Sequence, residues 1–181
     1  MPLKTVSQTL TPQTMTIETS AIPALEEVRV DMAELKAENR PVELVTSVGS
    51  CVAICLHDST KKCGGLAHIM LPDSTISPNE SLPAKFADTA VPALVRAINN
   101  LGGNPACLSA KVAGGANMFP NFANSLQIGK RNVEAVETAL KKNSIKLIAE
   151  DVGGSSGRRI SYNTATGVGS VRKFNGGVTI L

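Results

Sequence analysis

Aromatic side chains are nearly missing from this chain: its 181 residues hold no Trp, one Tyr and four Phe. That scarcity argues against an aromatic stacking platform for single-stranded nucleic acid. It also means that the core must be built from Val, Ile, Leu, Ala and Met. Charge of one sign is scarce as well. Eighteen Lys and Arg against fifteen Asp and Glu leave a net charge of +3. A nucleic-acid or membrane-surface binder usually shows a concentrated basic patch instead. No apolar run approaches the ~20 residues needed to span a bilayer. The segment MPLKTVSQTLTPQTM lacks the apolar centre of a signal peptide. Four cysteines are too few for a disulfide scaffold. A reducing cytoplasm is the expected compartment, with the thiols available for chemistry.

What is present supports one domain. At 43% hydrophobic residues the chain can bury a real core, and its length fits a single unit. Residues 1–25, rich in Thr, Ser, Gln and Pro, are expected to be a flexible tail ahead of a domain over 26–181. Val28, Val30 and Met32 alternate with Arg29 and Asp31, which predicts a strand over 26–37. A second strand is expected over 42–48. Apolar runs at 51–58 and 64–72 flank the polar turn STKKC and read as a β-hairpin. The Pro- and Ser-containing stretch 73–84 reads as a loop. Phe86, Ala90, Val91, Leu94, Val95, Ile98 and Leu101 make a helical stripe over 84–101, stopped by Gly102-Gly103. Pro92 marks a kink or an interrupted start within it. Val133, Val136, Ala139 and Leu140 predict a second helix over 130–142. Strands are expected at 107–113, 145–150, 158–162, 168–173 and 177–181. The class is therefore α+β or a layered α/β sandwich, with a mostly antiparallel sheet and about two main helices.

Both histidines lie near a cysteine cluster. Cys51, Cys55, His57, Cys63 and His68 fall within eighteen residues, and three readings compete: metal site, nucleophilic cysteine, or ordinary core. On one strand, Cys51 and Cys55 would stand about 13 Å apart at ~3.3 Å per residue. That is too far for ligands of one ion, and no second Cys pair follows at zinc spacing. A hairpin turn centred between residues 59 and 60 would instead set Cys51 directly opposite His68. Opposed residues point to one face with Cβ atoms about 4.5–5.5 Å apart, so thiol and imidazole would meet. An imidazole can take the thiol proton and later return it to a leaving group. Gly49 and Ser50 just before Cys51 favour a tight turn, and such a turn can aim backbone N–H groups at a developing oxyanion. A third group often orients the imidazole through its other nitrogen; Asp, Asn or Thr can do this, and Thr46 is a nearby candidate. Cys55 and Cys107 read as core, Cys63 as incidental in the turn, and His57 as a solvated residue at a strand end. The loop AGGANMF, residues 113–119, offers Met118 and Phe119 either to a partner or to the core.

The runs TSVGSCVAICLHD and GGLAHIMLPDS closely resemble the CheD family of chemoreceptor glutamine deamidases. The resemblance continues through KFADTAVPALVRAINNLGG, AKVAGGANMF, IGKRNVEAVETAL and IKLIAEDVGGSSGRRISYNTATGVGSVRK, covering roughly residues 27–175. It implies a cytoplasmic enzyme of bacterial or archaeal chemotaxis that converts glutamines of methyl-accepting chemotaxis receptors to glutamate. Cys51 falls on the family's nucleophile and His68 on its general base. Thr46 is the carry-over for the third member, while a spacing one residue longer would place Val45 there. The implied fold is a layered sandwich with papain-like site geometry, and the implied chemistry needs no metal or organic cofactor. The resemblance also implies two alternatives, receptor methylesterase activity and a role as a binding regulator of the CheC phosphatase.

Overall fold

The computed structural model describes residues 25–77, 81–118 and 127–181. The expected tail lies outside the described residues except for Leu25. The strands are β1 Glu27–Arg29, β2 Leu35–Glu38, β3 Glu43–Val48, β4 Val52–Asp58, β5 Cys63–Ile69, β6 Leu108–Gly114, β7 Lys146–Val152, β8 Arg158–Asn163, β9 Gly169–Lys173 and β10 Val178–Ile180. The helices are α1 Ala87–Asn100 and α2 Ile128–Lys142. Short 3₁₀ turns cover Ser74–Ile76 and Pro105–Cys107.

The strands form two five-stranded sheets, ordered β1-β3-β8-β9-β10 and β2-β5-β4-β6-β7. Among the described strands only β1 with β3 and β6 with β7 run parallel, so both sheets are mixed but mostly antiparallel. With two helices, this is the α+β sandwich expected from the sequence.

Strands β4 and β5 explain the layering. Every residue in both is buried, which is why their sequences read as nearly continuous apolar runs. Val52, Ile54, Leu56, Ala67 and Ile69 share one cluster with Ala87, Ala90, Val91, Leu94 and Ile98 of α1 and Val136 and Leu140 of α2. Ala53, Cys55 and Leu66 join a second cluster with Leu44, Val48, Ile160, Tyr162 and Val171 of the first sheet. Alternation along each strand thus sorts side chains between a helix layer and a sheet layer. Helix α1 runs unbroken with Pro92 inside it, so the residue neither delays its start nor ends it.

Residues 26–37 form two strands rather than one. Strand β1 pairs with β3 in the first sheet, and β2 with β5 in the second. The chain changes sheets through the turn at 31–34, where the Glu34 amide donates to the Asp31 carbonyl and Ala33 adopts φ +60. Alternation predicts a strand on either side of such a turn but not the crossing.

The hairpin register also differs from the expected one. Asp58 pairs with Cys63, Ala53 with His68 and Val52 with Ile69. The turn is therefore the four residues Ser59, Thr60, Lys61 and Lys62, and Cys63 is a buried strand residue rather than part of the turn. The fully buried carboxylate of Asp58 sets this length. Its Oδ1 accepts from the Thr60 amide at 2.9 Å, the Thr60 hydroxyl at 2.6 Å and the Lys61 amide at 3.2 Å, and Oδ2 accepts from the Asn104 amide at 2.8 Å. Burial by itself would raise the Asp58 pKa, but these bonds outweigh it and hold the group down at about 2. A depressed carboxylate pKa stabilises the fold above the unfolded value of ~3.9 and stops doing so as pH falls through the folded value. Asp58→Asn is expected to cost about 2 kcal/mol at neutral pH. Urea unfolding of the two proteins should show that gap narrowing from about pH 5 towards pH 2; a gap independent of pH would refute the assignment.

Candidate active site

Thr46 reaches the site from β3 in the first sheet, and His68 from β5 in the second. Both are buried, at 5% and 3% exposure. They meet between the sheets in a hydrogen bond of 2.8 Å between Thr46 Oγ1 and His68 Nδ1. The other ring nitrogen, Nε2, is buried and has no hydrogen-bond partner. One nitrogen is therefore oriented by Thr46 and the other carries no partner. The His68 backbone is held by the turn that joins the sheets: its amide donates to the Glu34 carbonyl at 2.9 Å, and its carbonyl accepts from the Ala33 amide at 3.1 Å.

Cys51 lies in the bend that leads into β4, half-buried and packed against the cluster between the sheets. It does not stand opposite His68, as the expected register had it. Ala53 occupies that place, because the Asp58-capped turn is two residues longer. Cys51 lies just outside the ladder, two residues before Ala53, and packs against the same cluster as Ala53 and Cys55. No thiol–imidazole hydrogen bond forms, since Nε2 is unpartnered.

Electrostatics agree with a neutral resting pair. Burial pushes the Cys51 thiol above its ordinary range, with its own backbone N–H pulling the other way. Burial pushes His68 below the usual imidazole range, opposed by Asp31. Near pH 7 Cys51 is then a thiol and His68 a neutral imidazole. The iodoacetamide reaction rate of Cys51 should accordingly climb past about pH 8.5, the value for a free thiol. Peptide mass spectrometry separates Cys51 from the exposed Cys107. A rate already level below pH 7 would reveal a preformed thiolate and contradict the neutral pair.

The turn before Cys51 is pinned through its carbonyls. Gly49 O accepts from the Ala116 amide at 2.8 Å, Ser50 O from Asn132 Nδ2 at 3.0 Å and Cys51 O from the Gly115 amide at 2.8 Å. The glycines at the end of β6 make this approach possible. Gly114 has φ +123 and Gly115 φ +67, and a Cβ on Gly114 would collide with the Cys51 carbonyl. Two residues of the AGGANMF loop thus underlie the cysteine turn. Met118 is 41% exposed, and Phe119 lies outside the described residues. A further clasp sits behind β3, where Arg158, opposite Val48 in the ladder, is buried against Asp151 and the Gly153 carbonyl.

Other sequence expectations are corrected by position. His57 is not solvated: it is buried between the sheets, and its Nδ1 is hydrogen-bonded to Tyr162 Oη at 2.8 Å. Its strand carries it inward with the parity of Ala53 and Cys55. Cys55 is core as expected, with burial pushing its thiol up to about 12. Cys107 is exposed rather than core, because it ends the 3₁₀ turn just before β6 begins. A cleft of about 570 Å³ opens at the His68–Thr46 pair, lined also by Arg29, Asp31, Met32 and Arg159. Arg29 pairs with Asp31 at 2.6 Å and Arg159 with Glu27 at 2.8 Å, so the charges on its rim are matched.

Residues 70–173 of the chain match the family described as CheD chemotactic sensory transduction. That match begins at Met70, two residues past His68. Over 158 residues the chain is 44% identical to a protein of Clostridium kluyveri named "Probable chemoreceptor glutamine deamidase CheD", with 85% of this chain and 97% of the relative covered. Proteins of the same name from Desulforamulus reducens and Clostridium novyi are 42% identical over 158 residues and 43% identical over 160. These alignments cover 86% of this chain in both cases, and 95% and 98% of the relatives. Among solved structures, the Bacillus licheniformis hypothetical protein YfiH aligns at 14% identity and a TM-score of 0.37, over 65% of this chain and 49% of that one.

Proposed function

Because the chain belongs to the CheD family, we propose that it is a chemoreceptor glutamine deamidase, a hydrolase converting glutamines of methyl-accepting chemotaxis receptors to glutamate through a Cys51 thioester. The observation that carries the site assignment is the Thr46–His68 bond, which orients the ring and leaves its buried Nε2 unpartnered.

In the reaction, Nδ1–H of His68 donates to Thr46 Oγ1, which keeps the lone pair on Nε2. As the Cys51 sulfur attacks the γ-carboxamide carbon, Nε2 takes the thiol proton. Negative charge gathers on the amide oxygen, and the amides of Ser50 and Cys51 serve as its donors. Protonated His68 then gives its proton to the departing nitrogen, the C–N bond breaks and ammonia leaves. A γ-glutamyl thioester remains on Cys51. Water adds to that carbon while Nε2 takes its proton; glutamate is released and the thiol is restored. One amide and one water become one carboxylate and one ammonium ion. The product carboxylate alters charge pairing along the receptor's helices.

The four cysteines are all unpaired thiols, which suits the reducing cytoplasm we assign to the reaction. Among the described residues no helix is long and apolar enough to cross a membrane. Strands β4 and β5, buried on both faces, support treating residues 26–181 as one domain. The relatives' name speaks for deamidation, and the methylesterase and CheC-regulator readings are not favoured.

The test is a receptor cytoplasmic fragment incubated with the protein. Ammonia should appear in step with a mass gain of about 1 Da on specific glutamine peptides, one molecule per conversion. Absence of both on fragments from the cognate organism would sink the reading.

A further inference from the structure

Helix α2 turns one polar side chain fully inward. Its buried residues are Gly129, Asn132, Val136, Ala139 and Leu140, and Asn132 is 0% exposed. Helix packing alone is better served by an aliphatic residue there, because a buried amide without full partnering costs about 1–3 kcal/mol. Asn132 bears that cost: its Oδ1 is buried without a partner. Its Nδ2 explains the retention, donating to Ser50 O at 3.0 Å and to Met70 O at 2.9 Å. Ser50 immediately precedes Cys51, and Met70 lies two residues beyond His68. A single amide thus ties the turn carrying the thiol to the end of the strand carrying the imidazole.

The peptide plane extends the consequence. The Ser50 carbonyl and the Cys51 N–H belong to one trans peptide unit and point in opposite directions. Drawing the carbonyl towards α2 turns the N–H away from the helix layer, towards the face of the second sheet from which His68 projects. We propose that Asn132 is a positioning residue of the deamidation reaction, one that fixes the Ser50–Cys51 peptide as an oxyanion donor and holds the cysteine turn in register with His68. This rests on the Cys51–His68 reading above.

The test compares Asn132→Ala with Val136→Ala, a truncation one turn further along the same buried face that touches neither carbonyl. Both are assayed well below their melting temperatures. Misaiming an oxyanion donor lowers kcat by about 10²–10³-fold. Asn132→Ala should show that loss with KM changed by less than about threefold, since Asn132 does not meet the substrate. Val136→Ala should keep kcat within about threefold of wild type, as a change confined to packing does. The pH midpoint of Cys51 alkylation should also rise in Asn132→Ala and stay put in Val136→Ala, because the reoriented N–H no longer stabilises the thiolate. Equal kcat losses in the two variants, with unchanged alkylation profiles, would overturn the proposal and leave Asn132 a packing residue. If the alanine variant does not fold, Asn132→Ser takes its place under the same criteria. Failure of the underlying reading looks different, because Cys51→Ala would then remain active whatever Asn132 does.

Discussion

Cys51→Ala is expected to abolish deamidation, lowering kcat by about 10⁴–10⁶-fold, the range seen when an enzyme loses its covalent nucleophile. Nothing else in the site can take over the attack. Cys55 shares the parity of Cys51 but is buried between the sheets, with its thiol pushed up to about 12. Cys63 faces the helix-side cluster, and Cys107 is exposed just before β6. Water is left without covalent activation. The loss must also be chemical rather than structural. Cys51 is half-buried, its backbone carbonyl keeps the Gly115 bond in the variant, and alanine retains the Cβ. Replacing a half-buried thiol by hydrogen should cost no more than about 1 kcal/mol. Ammonia release and urea unfolding measured together make the distinction. Residual activity above about 1% of wild type, in a variant of native stability, would exclude Cys51 as nucleophile.

The second large effect belongs to His68. His68→Ala should reduce kcat by about 10²–10⁴-fold, the span attributed to a positioned acid–base group. The pH profile carries more information than the magnitude. Burial pushes the His68 pKa below the usual imidazole range, so the acid limb of kcat/KM should fall below pH ~6.5. The limb should be absent from the residual activity of His68→Ala. Thr46→Val preserves shape but removes the partner of Nδ1. It should cost about 10–100-fold, by analogy with partners that orient a functional imidazole. The same depression has a stability counterpart. His57 and His68 are both held low by burial, so the unfolded chain binds protons that the folded one refuses. Stability should therefore decline as pH drops below ~6.5, and flatten below the two folded values as far as these groups are concerned. An acid limb that survives in His68→Ala would assign the base to another residue.

The hairpin shows how far local pattern carries. Its two strands, their buried faces and the shared parity of Cys51 and His68 follow from residues 51–72 read in order. Parity survives a two-residue shift in register, whereas direct opposition does not. Composition cannot supply turn length here, because the carboxylate of Asp58 reaches both into the turn and across to Asn104, forty-six residues away. The position of His57 is hidden from local pattern for a related reason. Its neighbour Asp58 and the polar turn suggest solvent, but Tyr162 covers it from the other sheet.

The sequence by itself determined the α+β class, both helices, the strand over each apolar run, and the chemistry on offer: a thiol, an imidazole and a hydroxyl within twenty-three residues, 46–68. These follow from side-chain periodicity and residue type, which act over a few neighbours. Only the tertiary structure decided that Thr46 and His68 touch across two different sheets, that Gly114 and Gly115 underlie the cysteine turn, and that Asn132 clamps it from a helix more than sixty residues beyond His68. Those contacts depend on how the layers stack. Stacking is set by the summed burial of two apolar clusters, and no local pattern encodes which distant polar group will fall opposite which carbonyl.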